Sequence, residues 1–225
     1  MDHPNRISRK KDRKKKTNYF AWVAISIVIG VIIAYPILGN IRGFVVSSDY
    51  MERAVKQGDF IMVNFADEGD DYSIGDVIVF QYPPERSQYR FGRIIASEGQ
   101  TVQIYKKTVY VDNLQYFESS SVFFEDRHVD KSLLSQRDYF GPFQVPAGTY
   151  FILGDNRDNS IDSRNWAELP KDNIIGKPKY IYFSWKPDPN TPSLNSPPDY
   201  VKSFFYNLFH GLGRIGFNRI GKKII

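Results

Sequence analysis

GDNRDNSIDSRNW, residues Gly154–Trp166, gathers Asp155, Asn156, Arg157, Asp158, Asn159, Ser160, Asp162, Ser163 and Arg164 into one short polar run. Carboxylates accept paired bonds from guanidinium groups, and Asn and Ser side chains cap backbone groups in turns. Such density points to a cross-bonded platform beneath a site. The plain alternative is a solvated turn between two strands.

Outward from that run, the chain reads as short strands separated by turn signals. Residues 60–64, 77–82, 90–95, 101–105, 108–111, 150–153 and 179–184 are rich in β-branched and aromatic side chains. Between them stand Gly58-Asp59, Gly75-Asp76, Pro83-Pro84, Gly99-Gln100, Asp112-Asn113 and Pro146-Ala147-Gly148. The expected fold is mainly β, one antiparallel domain over residues 41–185. Residues 113–143 break the rhythm and read as a subregion inserted in it.

The formal net charge of +5 belongs to the two ends of the chain. Residues 1–18 carry eight Lys or Arg against two Asp, and residues 202–225 carry five Lys or Arg and no acid. The remainder is net acidic, so the charge pattern gives no support to nucleic-acid binding. With no Cys in 225 residues, disulfides and thiolate metal sites are excluded. His3, His128 and His210 lack ligand spacing, so no metal or other cofactor is expected.

Residues 19–40, after the basic run, are uncharged and largely apolar, with Tyr19, Trp22 and Tyr35 towards the ends. A helix of about 20 such residues matches the roughly 30 Å hydrocarbon core of a bilayer. The expectation is one transmembrane helix, with a cytoplasmic N-terminus by the positive-inside rule and the β domain on the outer face. Residues 186–200 carry five Pro and read as a stiff linker. Residues 201–225 read as a basic amphipathic helix, with Val201, Phe204, Phe205, Leu208, Phe209, Leu212 and Ile215 at helical spacing. Membrane lipid, the parent domain and a protein partner are its candidate surfaces.

The polar run resembles the most diagnostic motif of the bacterial type I signal peptidases, G-D-N-R-x-N-S-x-D-S-R. Two further motifs of that family stand in order ahead of it: Gly58-Asp59-Phe60-Ile61-Met62-Val63-Asn64 and Gly75-Asp76-Val77-Ile78-Val79-Phe80. The resemblance implies an anchored β-rich domain in which a Ser attacks the scissile carbonyl of a signal peptide. It also implies a Lys in an apolar pocket as general base, its pKa lowered by burial, and Ser160 and Asp162 positioning that base.

Both decisive positions depart from the family. Its nucleophile box S-x-S-M-x-P-T corresponds to Ser48-Asp49-Tyr50-Met51-Glu52-Arg53-Ala54. Ser48 matches the oxyanion Ser and Met51 the Met, while Tyr50, or Asp49 with a slip of one residue, stands where the nucleophile belongs. Its base box Y-x-K-R-V-I-G-x-P-G-D corresponds to residues 90–100, where Arg93 keeps the frame and Gly92 replaces the Lys.

The resemblance therefore implies a degenerate member, similar in architecture to the signal-peptidase-like proteins of Gram-positive pilus assembly. Its expected partners are an exported or pilin-like protein, or a sortase. An active signal peptidase with a rearranged nucleophile and base is the alternative, drawing on Ser47, Ser48 or Tyr50 with Lys56, Lys106 or Lys107. A tethered structural protein without a peptide groove is the third reading. Lys106-Lys107 itself reads as a solvated strand reversal.

Overall fold

A computed structural model describes residues 19–30, 41–65, 72–130, 135–191 and 197–224. The chain divides into two units, residues 1–42 and 43–225. In the first, residues 19–30 form helix α1, whose side chains are exposed. The basic stretch 1–18 and the remainder of the expected anchor, 31–40, lie outside the described residues. No helix among the described residues is long and apolar enough to cross a membrane.

The second unit carries two antiparallel sheets. The strands are β1 (Ile41–Val45), which begins in the last two residues of the first unit, then β2 (Asp59–Phe65), β3 (Val77–Tyr82), β4 (Glu85–Ser97), β5 (Thr101–Tyr105) and β6 (Thr108–Val111). They continue with β7 (Leu114–Gln115), β8 (Tyr139–Gln144), β9 (Thr149–Leu153), β10 (Leu169–Pro170) and β11 (Ile174–Ser184). The large sheet runs β1-β2-β11-β3-β4-β9-β10 and the small one β7-β6-β5-β8. The mainly antiparallel β expectation is met.

Alternation in β3 explains why the large sheet is buried on both faces. Val77 and Val79 join one apolar cluster with Val46, Met51, Val55, Ile61 and Phe91, while Ile78 and Phe80 join another with Ile94, Ile152 and Leu169. A third cluster, Ile95, Val102, Ile104, Phe151 and Leu153 among others, joins β4 and β9 to the small sheet. Lys106 and Lys107 at the β5–β6 reversal and Asp112 and Asn113 at the β6–β7 reversal all have positive φ. Paired positive φ is the signature of the two-residue turn whose twist suits a hairpin.

Helix α2 (Ser163–Trp166) closes the polar run, capped by the Asp162 side chain. Helix α3 (Pro197–Arg214) begins inside the stretch read as a linker, with Pro197 in the first turn, where a missing N–H does no harm. Beyond α3 the chain returns along β11. Gly216 N donates to Ser184 O (2.9 Å), Ile181 N to Lys222 O (3.1 Å) and Ile224 N to Lys179 O (3.0 Å). Ile224 is buried in the first cluster, so the end of the chain is part of the domain.

Candidate functional site

The polar run is held as a platform by guanidinium–carboxylate pairs. Arg93 on β4 donates from Nε to Asp155 Oδ1 and from Nη2 to Asp155 Oδ2, both at 2.8 Å, and from Nη1 to Gly75 O at 2.6 Å. Burial alone would lower the Arg93 pKa, but the hydrogen bond and charge of Asp155 outweigh it and hold the group above its ordinary value. Arg157 binds Glu118 bidentately at 2.7 and 2.6 Å and donates from Nε to Gly154 O at 3.0 Å. Burial pushes the Glu118 carboxyl above the usual carboxylate range, and Arg157 opposes it.

The second half of the run is tied just as closely. Arg164 binds both Asp162 oxygens at 2.8 Å, and Asp162 Oδ2 also accepts from Gly154 N at 3.1 Å. Ser163 Oγ accepts from Ile152 N at 2.9 Å. Ser160 Oγ donates to Asn156 O and lies 3.4 Å from Tyr50 O. A Cβ on Gly154 would strike the Ser160 side chain, which gives that glycine a packing reason.

The segment carrying the nucleophile position docks on this platform through three successive residues. Asp49 Oδ2 accepts from Asn159 Nδ2 (2.8 Å), Tyr50 O accepts from Asn156 N (2.8 Å), and Met51 Sδ accepts from Asp155 N (3.2 Å). Tyr50 and Ser48 are half-buried. With Ser47, Gln88, Tyr89 and Arg90 they line a depression of about 260 Å³. The structure thus brings Asp49, Tyr50 and Met51 to the expected platform and sets Ser48 beside Tyr50 in the depression.

Gly92 sits on β4, opposite Ile78 of β3, and its missing side chain points into the second apolar cluster. A Cβ there would collide with Ile152 Cγ2 and stand 3.3 Å from Phe80 Cε1. Ile152 therefore occupies the room a side chain at 92 requires. On β9, Ile152 pairs in register with Ile94, two residues along the same face as Gly92.

The three candidate bases have other duties. Lys56 Nζ pairs with Glu52 at 3.5 Å and is half-exposed. Lys106 Nζ lies 5.3 Å from the centre of the Tyr105 ring. Lys107 is buried, a correction to its reading as a solvated strand reversal. Its Nζ donates to Asp158 Oδ1 and to Asp126 O at 2.6 Å each and pairs with Asp138 at 3.5 Å. Lys106 and Lys107 both have positive φ in this turn, yet Lys106 is exposed and Lys107 is buried. The run's Asp158 is its partner, a long-range relation that local turn chemistry does not reveal.

Sequence reasoning also missed Glu118, Ser121 and Arg219. Ser121 Oγ accepts from Arg93 Nη2 at 2.9 Å. Arg219 Nε, from the C-terminal return, lies 3.0 and 3.1 Å from the two oxygens of Asp59, which is fully buried. The acids scattered through 113–143 were the available hint for Glu118, since the buried arginines of the platform need counter-charges.

Residues 18–185 match the family described as signal peptidase, peptidase S26. Signal peptidase I T of Bacillus subtilis (strain 168) is 30% identical over 186 residues, covering 81% of this chain and 95% of that protein. Signal peptidase I of Aquifex aeolicus (strain VF5) is 32% identical over 241 residues, covering 82% and 90% respectively. A signal peptidase I crystal structure from Enterococcus faecalis V583 aligns at 28% identity with a TM-score of 0.40, over 48% of this chain and 97% of that one. With its platform and its order of motifs, the chain belongs to the signal peptidase I family, peptidase S26.

Proposed function

We propose that this protein is a non-cleaving member of the family, a membrane-anchored domain that binds a segment of an exported protein without cutting it. The observation that carries the reading is the filling of the base position: Gly92 has no amine, and Ile152 stands where a side chain would begin. Tyr50 at the nucleophile position is consistent with the same loss. Lys107 is held by two carboxylates and a carbonyl, which engage its amine in bracing the platform. Ser160 and Asp162, which in a cleaving member would orient the base, here brace backbone and Arg164.

The anchor of residues 19–40 places the β domain outside a cell membrane, with the N-terminus cytoplasmic. Helix α3 adds a second membrane contact. Val201, Leu208, Phe209 and Leu212 are all more than half exposed on it, and residues 202–225 carry five basic residues and no acid. An exposed apolar stripe beside that charge suits the surface of an anionic bilayer. The protein partner is an exported or pilin-like chain, or the sortase that handles it.

The test is incubation of the detergent-solubilised full chain with signal-peptide substrates, following both cleavage and binding. Binding without cleavage is the expected result. Cleavage that Tyr50→Ala abolishes overturns the reading and restores the rearranged peptidase.

A further inference from the structure

Arg90 stands two residues before Gly92 on β4, on the same strand face. Its guanidinium carbon lies 3.4 Å from the centre of the Tyr82 ring and 5.6 Å from that of Tyr50. The hydrogen bonds it makes, to Ile161 O at 3.4 Å and Gln88 Oε1 at 3.5 Å, are at the weak end of the range. Among the described residues no carboxylate pairs with it. The contrast is with Arg93, Arg157, Arg164 and Arg219, each of which holds a carboxylate. Asp49 accepts from Asn159, and Glu85 accepts from Ser87 and Gln88.

Arg90 therefore brings to the depression of about 260 Å³ a guanidinium that no carboxylate among the described residues pairs with, and Ser47, Ser48 and Tyr50 also line it. A guanidinium stacked on an aromatic ring is oriented in advance, and its fork matches a carboxylate bidentately. Hydroxyl side chains at the rim add donors to the same anion. The depression is small and half-open, suited to the end of a chain, and Tyr50 beside it marks the nucleophile position of the family's cutting members.

We propose that Arg90 makes this depression a receptor for a peptide α-carboxylate, so that the protein holds a peptide ending at the degenerate site. This inference rests on the non-cleaving, peptide-binding reading and gives that site its ligand chemistry. The ligand is a chain already cut or naturally ending there, with its terminal carboxylate on the Arg90 guanidinium and its backbone extended away from Tyr50.

Fluorescence anisotropy on the detergent-solubilised full chain tests it, using one labelled apolar peptide ending in Ala-Leu-Ala. The peptide is made as the free acid, as the C-terminal amide, and as an amide with Glu in the last position. Expected is at least tenfold tighter binding of the acid than of the amide. In Arg90→Gln that preference should vanish while amide affinity stays unchanged, and Arg90→Lys should recover part of it. Equal affinity of acid and amide for the parent protein overturns the inference alone, as does a preference that persists in Arg90→Gln. Binding of the Glu amide as tightly as the acid overturns the α-carboxylate assignment in favour of a side-chain carboxylate. Failure of every peptide to bind overturns the peptide-binding reading itself.

Discussion

Ile152 Cγ2 on β9 fills the space that a side chain on Gly92 of β4 would enter, and Phe80 closes the same space from β3. The glycine and the isoleucine have become a packed pair in the second apolar cluster. Regaining a base at this position thus involves two strands.

Gly92→Lys alone should lower stability by about 1–3 kcal/mol, the usual effect of overpacking a close-packed core. Ile152→Ala alone should cost about 2–5 kcal/mol through the cavity it leaves. The two together should be less harmful than their sum, because the lysine stem enters the room the isoleucine vacates. Denaturant melts of the four proteins measure this coupling, and strict additivity would show that Ile152 does not gate the position. Signal-peptide cleavage is expected only after Tyr50→Ser is added to that pair.

Asp155 is fully buried against Arg93. Asp155→Ala leaves a buried guanidinium without its counter-charge, a change that typically costs about 3–5 kcal/mol. It also removes the group accepting from Ser121 Oγ. A loss of that size in chemical denaturation is expected, whereas Asp158→Ala should cost less because Lys107 retains Asp138 and Asp126 O. Equal effects from the two substitutions would place the platform's strength elsewhere.

Asp138 supplies a pH dependence of definite sign. Burial pushes its carboxyl up, but the hydrogen bonds from Arg137 and Asp130 N and the charge of Lys107 outweigh it and hold the pKa below the ordinary aspartate value. Near and below the ordinary value of about 3.9 the unfolded chain takes up a proton that the folded one does not. The group's stabilisation is therefore complete above that range and is lost as pH falls towards the folded pKa. Melting temperatures across this acid window should fall more steeply in the parent than in Asp138→Asn. Parallel curves would remove Asp138 from the account.

The motifs were legible because they are local. Gly58-Asp59 and Gly75-Asp76 are turns whose residues declare themselves, and β3 announces its burial by an unbroken apolar run. The partners of the charged residues were not legible. Asp59 finds Arg219 160 positions away, Asp158 finds Lys107 across 51, and Arg157 finds Glu118 across 39. Such pairings depend on how strands are ordered in a sheet, and adjacent sequence does not encode it. Arg90 shows the intermediate case: period-two alternation places it on the Gly92 face, but only the fold shows that no acid among the described residues pairs with it.

The Asp59–Arg219 pair tests whether the C-terminal return is structural. Asp59 Oδ2 also accepts from Lys56 N at 2.8 Å, so the same carboxylate fixes the turn leading into β2 and the last residues of the chain. Arg219→Ala should leave Asp59 buried and short of its charge partner, with a loss of about 3–5 kcal/mol. It should also raise hydrogen exchange at Ile181 and Ile224, whose amides bond into that return. Unchanged exchange at both would mean that the segment holds by backbone pairing alone.

The orientation of α3 follows from what its two sides touch. Tyr206 Oη donates to Asp188 at 2.7 Å, Arg214 lies over the Trp185 ring at 4.7 Å, and a Cβ on Gly211 would stand 3.1 Å from that ring. These contacts turn one side of the helix to the domain and leave Leu208 and Leu212 60% and 78% exposed. Because the chain has no Cys, a single fluorophore can be placed at Leu212→Cys or, on another side of the helix, at His210→Cys. In nanodiscs containing anionic and nitroxide-bearing lipids, the label at 212 should be quenched several-fold more than the label at 210. The difference should shrink when anionic lipid is replaced by neutral lipid, because Lys202, Lys222 and Lys223 then lose their attraction to the surface. Equal quenching at both sites in anionic discs would remove α3 from the bilayer and leave its apolar face to a protein partner.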